Sequence, residues 1–224
     1  MTDRPTPAFP QAVLFDMDGT LVDSERVWDT GIEELAELLG GRLDPAVRAR
    51  MVGTNEDASV LMLLESLGLP LSEAPARLLW LRRRMKELFA EGVDWKPGAQ
   101  ELLLEARAAD VPTALVTSTP RELAEIIIDQ LGPGNFDITI CGDEVDQRKP
   151  HPEPYQTAAE KLGVDIRRSV VVEDSVSGVG SGLASGAVTL AVPSEVELPA
   201  DLEVLRLDTL EGVDLAYLRT LADA

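Results

Sequence analysis

Cysteine is nearly absent: Cys141 is the single one in 224 residues, so no disulfide can close within the chain. Long apolar runs are missing too. No uninterrupted stretch approaches the roughly 20 residues that cross a bilayer, and no charged-then-apolar signal pattern precedes the first candidate strand. The expectation is a soluble protein of the reducing cytoplasm with no membrane partner. Basic charge is scarce, with 20 Lys and Arg against 40 Asp and Glu and a net charge of -20 at pH 7. Such a surface repels nucleic acid and anionic lipid, so neither is an expected partner. Internal repeats and low-complexity tracts are also lacking. Histidine is reduced to His151, which sits between Pro150 and Pro152 and reads as a loop residue, not a catalytic base.

What is present is a regular alternation. Short β-rich runs occur at Ala12–Phe15, Ala114–Val116, Ile138–Ile140, Val170–Val172 and Thr189–Val192, each reading as a strand buried on both faces. Cys141 extends the third run and is expected to pack within it rather than serve as a nucleophile. Helix-period segments lie between them at Gly98–Ala109, Pro120–Leu131, Pro154–Leu162 and Val176–Ser185. Alternation of this kind predicts an α/β fold, a Rossmann-like parallel sheet covered by helices.

From Ser24 to Asp94 the alternation stops, and Trp28–Leu39, Pro45–Met51, Glu56–Leu67 and Ala74–Phe89 all read as helical. The expected organisation is a loose leader at 1–10, an α/β core at 11–23 and 95–224, and an all-helical module at 24–94. Its hinges are expected just after Leu21 and across Gly92–Pro97, where Gly and Pro interrupt helical periodicity.

Four polar segments each fall just past a candidate strand, where ligands of parallel sheets collect. They are Asp16-Met17-Asp18, Thr117-Ser118, Lys149-Pro150 and Glu173-Asp174-Ser175. Glu173 and Asp174 supply the hard oxygen donors that Mg2+ prefers. Thr117 and Ser118 offer hydroxyls ahead of Pro120, which suits the first turn of a helix. Lys149 is one of four lysines and stands in a stretch too rich in proline to be helical. Taken singly, each segment also reads as an ordinary turn or helix cap, or in the case of Lys149 as a solvated surface residue.

In this order, the four segments resemble the motifs of the haloacid dehalogenase superfamily. The helical insert is similar to the small cap of its β-phosphoglucomutase-like and sugar-phosphatase branch. The resemblance implies a phosphohydrolase in which Asp16 is the nucleophile and forms an aspartyl-phosphate. Asp18 would be general acid and base. Mg2+ would be held by Asp16, the main-chain carbonyl of Asp18 and Asp174, with Glu173 coordinating directly or through water. Thr117 and Ser118 would hold phosphoryl oxygens, and Lys149 would neutralise the phosphoryl group and Asp16.

The segment Val52–Asp57 resembles the cap loop that enters the active site in these relatives. Gly53 allows close approach there, and Thr54 and Asn55 offer polar groups to a substrate, with helix capping as the competing account. The implied partner is a small mono-phosphorylated metabolite, a sugar or polyol phosphate, handled by a protein whose oligomeric state is open with a monomer favoured. Trp28 stands where the sugar-phosphate mutases offer a histidine, which disfavours the mutase alternative; cap packing is its expected role. A Schiff base at Lys86, as in phosphonate-cleaving relatives, is a weak alternative, and a noncatalytic phospholigand sensor is the rival of another class.

Overall fold

A computed structural model describes residues 9–194 and 197–221. Most of the expected leader, residues 1–8, lies outside the described residues. Six strands form one parallel sheet: β1 (Val13–Phe15), β2 (Thr113–Val116), β3 (Ile138–Ile140), β4 (Val170–Glu173), β5 (Val188–Ala191) and β6 (Leu205–Arg206), in the order β3-β2-β1-β4-β5-β6. β1 is therefore central, and Phe15 is in register with Leu115 of β2 on one side and Val172 of β4 on the other.

Successive side chains of β1 point to opposite faces, and each face has its own core. Val13 and Phe15 join a large cluster with Leu102, Leu123 and Ile127, while Ala12 and Leu14 pack with Tyr155 and Ala158. The covering helices are α5 (Ala99–Ala108), α6 (Arg121–Leu131), α7 (Glu153–Leu162), α8 (Val176–Ser185) and α9 (Leu215–Thr220). Four helices lie between β1 and α5: α1 (Glu25–Leu38), α2 (Pro45–Met51), α3 (Glu56–Ser66) and α4 (Ala74–Ala90). Their buried faces, with Ile32, Leu35, Leu63, Leu81 and Phe89, are continuous with the larger core cluster. None of the helices among the described residues is long and apolar enough to cross a membrane.

The two chain segments that enter and leave this helical insert run side by side. Asp23 N donates to Asp94 O and Lys96 N to Leu21 O, both at 2.8 Å, and Val22 bridges Trp95 in antiparallel sense.

Several local expectations need correction. Ile138 and Thr139 are only half-buried, because β3 is an edge of the sheet and has one neighbour. Cys141 lies one residue past β3, fully buried, and burial pushes its thiol up to about 12, which keeps it neutral. Pro120 occupies the N-cap position of α6 and not its first turn. β6 and α9 escape sequence reading because two and six residues are too few to establish a period.

Candidate active site

The parallel sheet delivers the four polar segments to one edge, since each follows the carboxyl end of a strand. Lys149 Nζ donates to Asp16 Oδ1 at 2.7 Å, to Glu173 Oε1 at 2.6 Å and to the Val116 carbonyl at 2.8 Å, joining three strand ends through one ammonium. It also lies 4.9 Å from the centre of the Tyr155 ring. The lysine side chain is 3% exposed. Burial opposes its charge, yet Asp16 and Glu173 outweigh burial and hold the ammonium well above its ordinary range.

Charge at this point is unbalanced. One ligand atom from each of Asp16, Glu173 and Asp174 lies within 4.8 Å of the others, and all three residues are buried. Burial, reinforced by Glu173 and opposed by Lys149, pushes the Asp16 carboxyl up to about 8. Burial and then Asp16, Glu173 and Glu25 raise Asp174 well above the carboxylate range. A single lysine does not satisfy three buried carboxylates, and a hard divalent cation is the group this donor set fits. The backbone makes room for it. Gly19 has φ +80°, and a Cβ there would stand 2.2 Å from Asp174 Oδ2, so only glycine lets the turn after β1 pass so close to this carboxylate.

Asp18 points elsewhere. Its Oδ1 accepts from Ser24 Oγ at 2.6 Å and from Trp28 Nε1 at 3.2 Å. Its Oδ2 accepts from Thr119 Oγ1 at 2.8 Å and Thr117 Oγ1 at 3.1 Å. Two donors come from the start of the helical insert and two from the loop after β2. The Asp18 side chain is therefore separate from the three-carboxylate cluster, two residues along from Asp16, because the strand has already ended. Ser24 occupies the N-cap of α1 but makes no capping bond; its hydroxyl is diverted to Asp18. Thr117, expected to face a phosphoryl group, has its hydroxyl directed to Asp18 while accepting from Thr119 N at 3.0 Å. Ser118 lines the cavity.

That cavity, of about 90 Å³, is bounded by Asp16, Asp18, Ser118, Lys149 and Asp174 from the sheet edge. Trp28, Arg48, Val52, Gly53, Thr54, Asn55 and Glu56 bound it from the insert. Gly53 has φ +69°, and a Cβ there would lie 2.6 Å from Ser175 Cβ, so the insert loop touches the segment after β4. Asn55 caps α3, its Oδ1 accepting from Ala58 N at 2.9 Å, which is the capping account of that residue. Thr54 caps nothing: its hydroxyl donates to the Met51 carbonyl at 2.7 Å and meets Ser59 Oγ at 3.1 Å. Trp28 packs edge-on against Phe89, ring centres 5.6 Å apart, and so combines the expected packing with its bond to Asp18.

Several site neighbours lie outside the four polar segments and the insert loop. Tyr155 donates to Glu173 Oε1 at 2.6 Å but reads in α7 as one more core residue. Thr119 follows Thr117 by two residues, and that spacing was an available signal. Glu25 is buried at the cavity and accepts from Ser194 Oγ at 2.8 Å, and Arg48 pairs with Asp29; both read as surface charges along their helices. His151 lies apart from the cavity lining, its Nδ1 accepting from Glu153 N at 3.2 Å. Lys86 is ion-paired with Glu122 at 2.5 Å and does not line the cavity either.

The chain belongs to the haloacid dehalogenase-like hydrolases, whose family model matches residues 10–186. It is 33% identical over 181 residues to a phosphorylated carbohydrates phosphatase of Thermotoga maritima, covering 79% of this chain and 82% of that one. It is 32% identical over 213 residues to hexitol phosphatase A of Escherichia coli, covering 89% of this chain and 91% of the relative. Among solved structures, CbbY of Rhodobacter sphaeroides in complex with xylulose 1,5-bisphosphate superposes with a TM-score of 0.76 at 26% identity, covering 93% of this chain and 98% of that chain.

Proposed function

We propose that the protein is a phosphatase of small phosphate monoesters, sugar or polyol phosphates in particular, with Mg2+ as its metal. The observation that carries this reading is Lys149 bridging Asp16 and Glu173 beside Asp174, with the carboxylate of Asp18 held apart. Relatives bearing the names of carbohydrate and hexitol phosphatases over most of their length support the substrate class.

Asp16, Glu173 and Asp174, with the main-chain carbonyl of Asp18, hold the metal in this proposal. Bound there, Mg2+ neutralises carboxylate and phosphoryl charge and polarises the phosphoryl group. Asp16 attacks phosphorus through a carboxylate oxygen; the new P–O bond forms as the ester P–O bond breaks. Asp18 gives its proton to the departing alkoxide and then takes one from the water that cleaves the aspartyl-phosphate. Lys149 opposes the protonation that burial favours at Asp16, orients that carboxylate and offsets charge spreading over the phosphoryl oxygens. Ser118, which lines the cavity, bonds those oxygens in this reading, with Thr117 joining it once its hydroxyl leaves Asp18.

The helices of residues 24–94 act as a cap on the α/β core. A volume of about 90 Å³ is well under the roughly 300 Å³ at the low end for small-molecule sites, so a sugar phosphate enters only when the cap moves away. Closure then excludes bulk water while the aspartyl-phosphate forms, leaving the hydrolytic water to reach phosphorus once the alcohol has gone.

The test is Mg2+-dependent phosphate release by wild type and Asp16→Asn over hexose, hexitol, pentose and nucleoside monophosphates, with isomerisation of β-glucose 1-phosphate followed in parallel. Release that the substitution abolishes is the expected result. Isomerisation in place of release would make the protein a mutase, and ligand binding without either reaction would make it a sensor.

A further inference from the structure

Glu56 opens α3 immediately after the Gly53–Asn55 loop and lines the same cavity as Asp16 and Lys149. It is 6% exposed. One oxygen, Oε1, is ion-paired with Arg82, whereas Oε2 is the only buried side-chain nitrogen or oxygen among the described residues without a hydrogen-bond partner. Buried acceptors left in this state are rare and costly, and each calls for a missing partner. Burial, together with the like charges of Asp57 and Glu122, also makes this a poor place for a carboxylate, against which Arg82 works alone.

We infer that Glu56 is a specificity-determining residue whose Oε2 accepts a hydrogen bond from a hydroxyl on the leaving group of the substrate. This rests on the phosphatase reading and deepens it. A carboxylate oxygen can only accept, so its partner must be a donor; a second phosphate or a carboxylate on the substrate would be repelled. Asn55 lines the same wall and carries a donor that a hydroxyl's lone pair needs, the amide nitrogen that its capping bond does not use. Ile32, Met51 and Val52 give the remaining wall an apolar surface suited to the C–H face of a polyol chain. A neutral, hydroxyl-bearing alcohol is the leaving group this wall fits.

The experiment compares a hexitol 6-phosphate with n-hexyl phosphate, which has the same carbon chain without the hydroxyls. Wild type, Glu56→Leu and Glu56→Gln are assayed as full chains with Mg2+. The expected result is that Glu56→Leu lowers the ratio of kcat/KM for the hexitol ester over the hexyl ester about ten-fold or more, with Glu56→Gln intermediate. Equal losses on the two esters, or a ratio unchanged in both variants, would overturn the inference.

The same substitutions in an Asp16→Asn background give calorimetric affinities for the two esters. This arm separates the two readings: if wild type releases no phosphate, the phosphatase reading fails, while a binding preference for the hexitol ester that Glu56→Leu removes still upholds the hydroxyl contact. An ammonium-bearing ester preferred over the hexitol ester would overturn the assignment to a hydroxyl. Where Glu56→Leu does not fold, Glu56→Gln decides, and an undiminished ratio in that variant counts against the contact.

Discussion

Trp28 holds Asp18: its indole Nε1 lies 3.2 Å from the Oδ1 that Ser24 also bonds, while the edge-on contact with Phe89 fixes the ring. The candidate acid and base of the core is thus oriented by residues of the helical insert. Trp28→Phe keeps a ring against Phe89 and removes only the N–H. We expect kcat to fall about ten-fold, the order of one lost hydrogen bond. Steady-state kinetics on a hexitol phosphate check it, and an unchanged kcat would mean that the indole serves packing alone.

Gly53 meets Ser175 at a distance that admits no side chain. Gly53→Ala adds a methyl in the left-handed region as well as a collision, each a recognised source of strain on the order of 1–3 kcal/mol. Either the closed arrangement is lost or stability falls. Thermal unfolding together with KM should register a midpoint lower by several degrees or a raised KM; neither changing would show that the loop stands off from Ser175.

Metal and pH act on the same carboxylates. With the Asp16 carboxyl pushed from its ordinary 3.8 up to about 8, the metal-free folded chain holds more protons than the unfolded one between those values. Its contribution to stability is full below the unfolded pKa and is lost as pH rises through about 8. Mg2+ binds the ionised form, so it should stabilise the protein more at pH 8 than at pH 5. At a hundred times Kd the gain is about 2.7 kcal/mol, or roughly 5–10 °C for a chain of this size. Calorimetric unfolding in chelator and in Mg2+ at both pH values measures it, and equal shifts would contradict the carboxylate cluster as the site.

Tyr155 places a phenol 2.6 Å from Glu173 Oε1 and its ring beneath Lys149. Tyr155→Phe removes the hydroxyl and keeps the ring, which separates the two contacts. Stability should fall by about 1–2 kcal/mol in denaturant titration, because a buried carboxylate loses a donor. Tyr155→Leu should cost more, since the ring face offered to the ammonium goes too. Equal costs would assign the whole effect to the hydroxyl.

Much of this molecule follows from local pattern. Strand and helix are set by the spacing of apolar residues over a few turns, and for that reason α2 and α8 run over the very residues their sequences predict, Pro45–Met51 and Val176–Ser185. The placement of Asp16, Lys149, Glu173 and Asp174 at one edge also follows from sequence, because parallel strands connected by helices bring all their carboxyl ends to the same side.

Tertiary packing decided where each polar atom points. Ser24 stands at the start of α1, where a serine commonly caps, yet its hydroxyl goes to Asp18, six residues back, because the chain turns from core to insert between them. Tyr155 reads as core and is core, and only the approach of α7 to β4 puts its hydroxyl on Glu173. Glu56 reads as an acidic first-turn residue, favourable at a helix N-terminus; burial against Arg82 leaves one of its oxygens without a partner. Hydrophobic periodicity is a property of neighbouring residues and can be read along the chain. Hydrogen-bond partners far apart in sequence depend on how elements pack, on distances of a few tenths of an ångström that no run of residues encodes by itself.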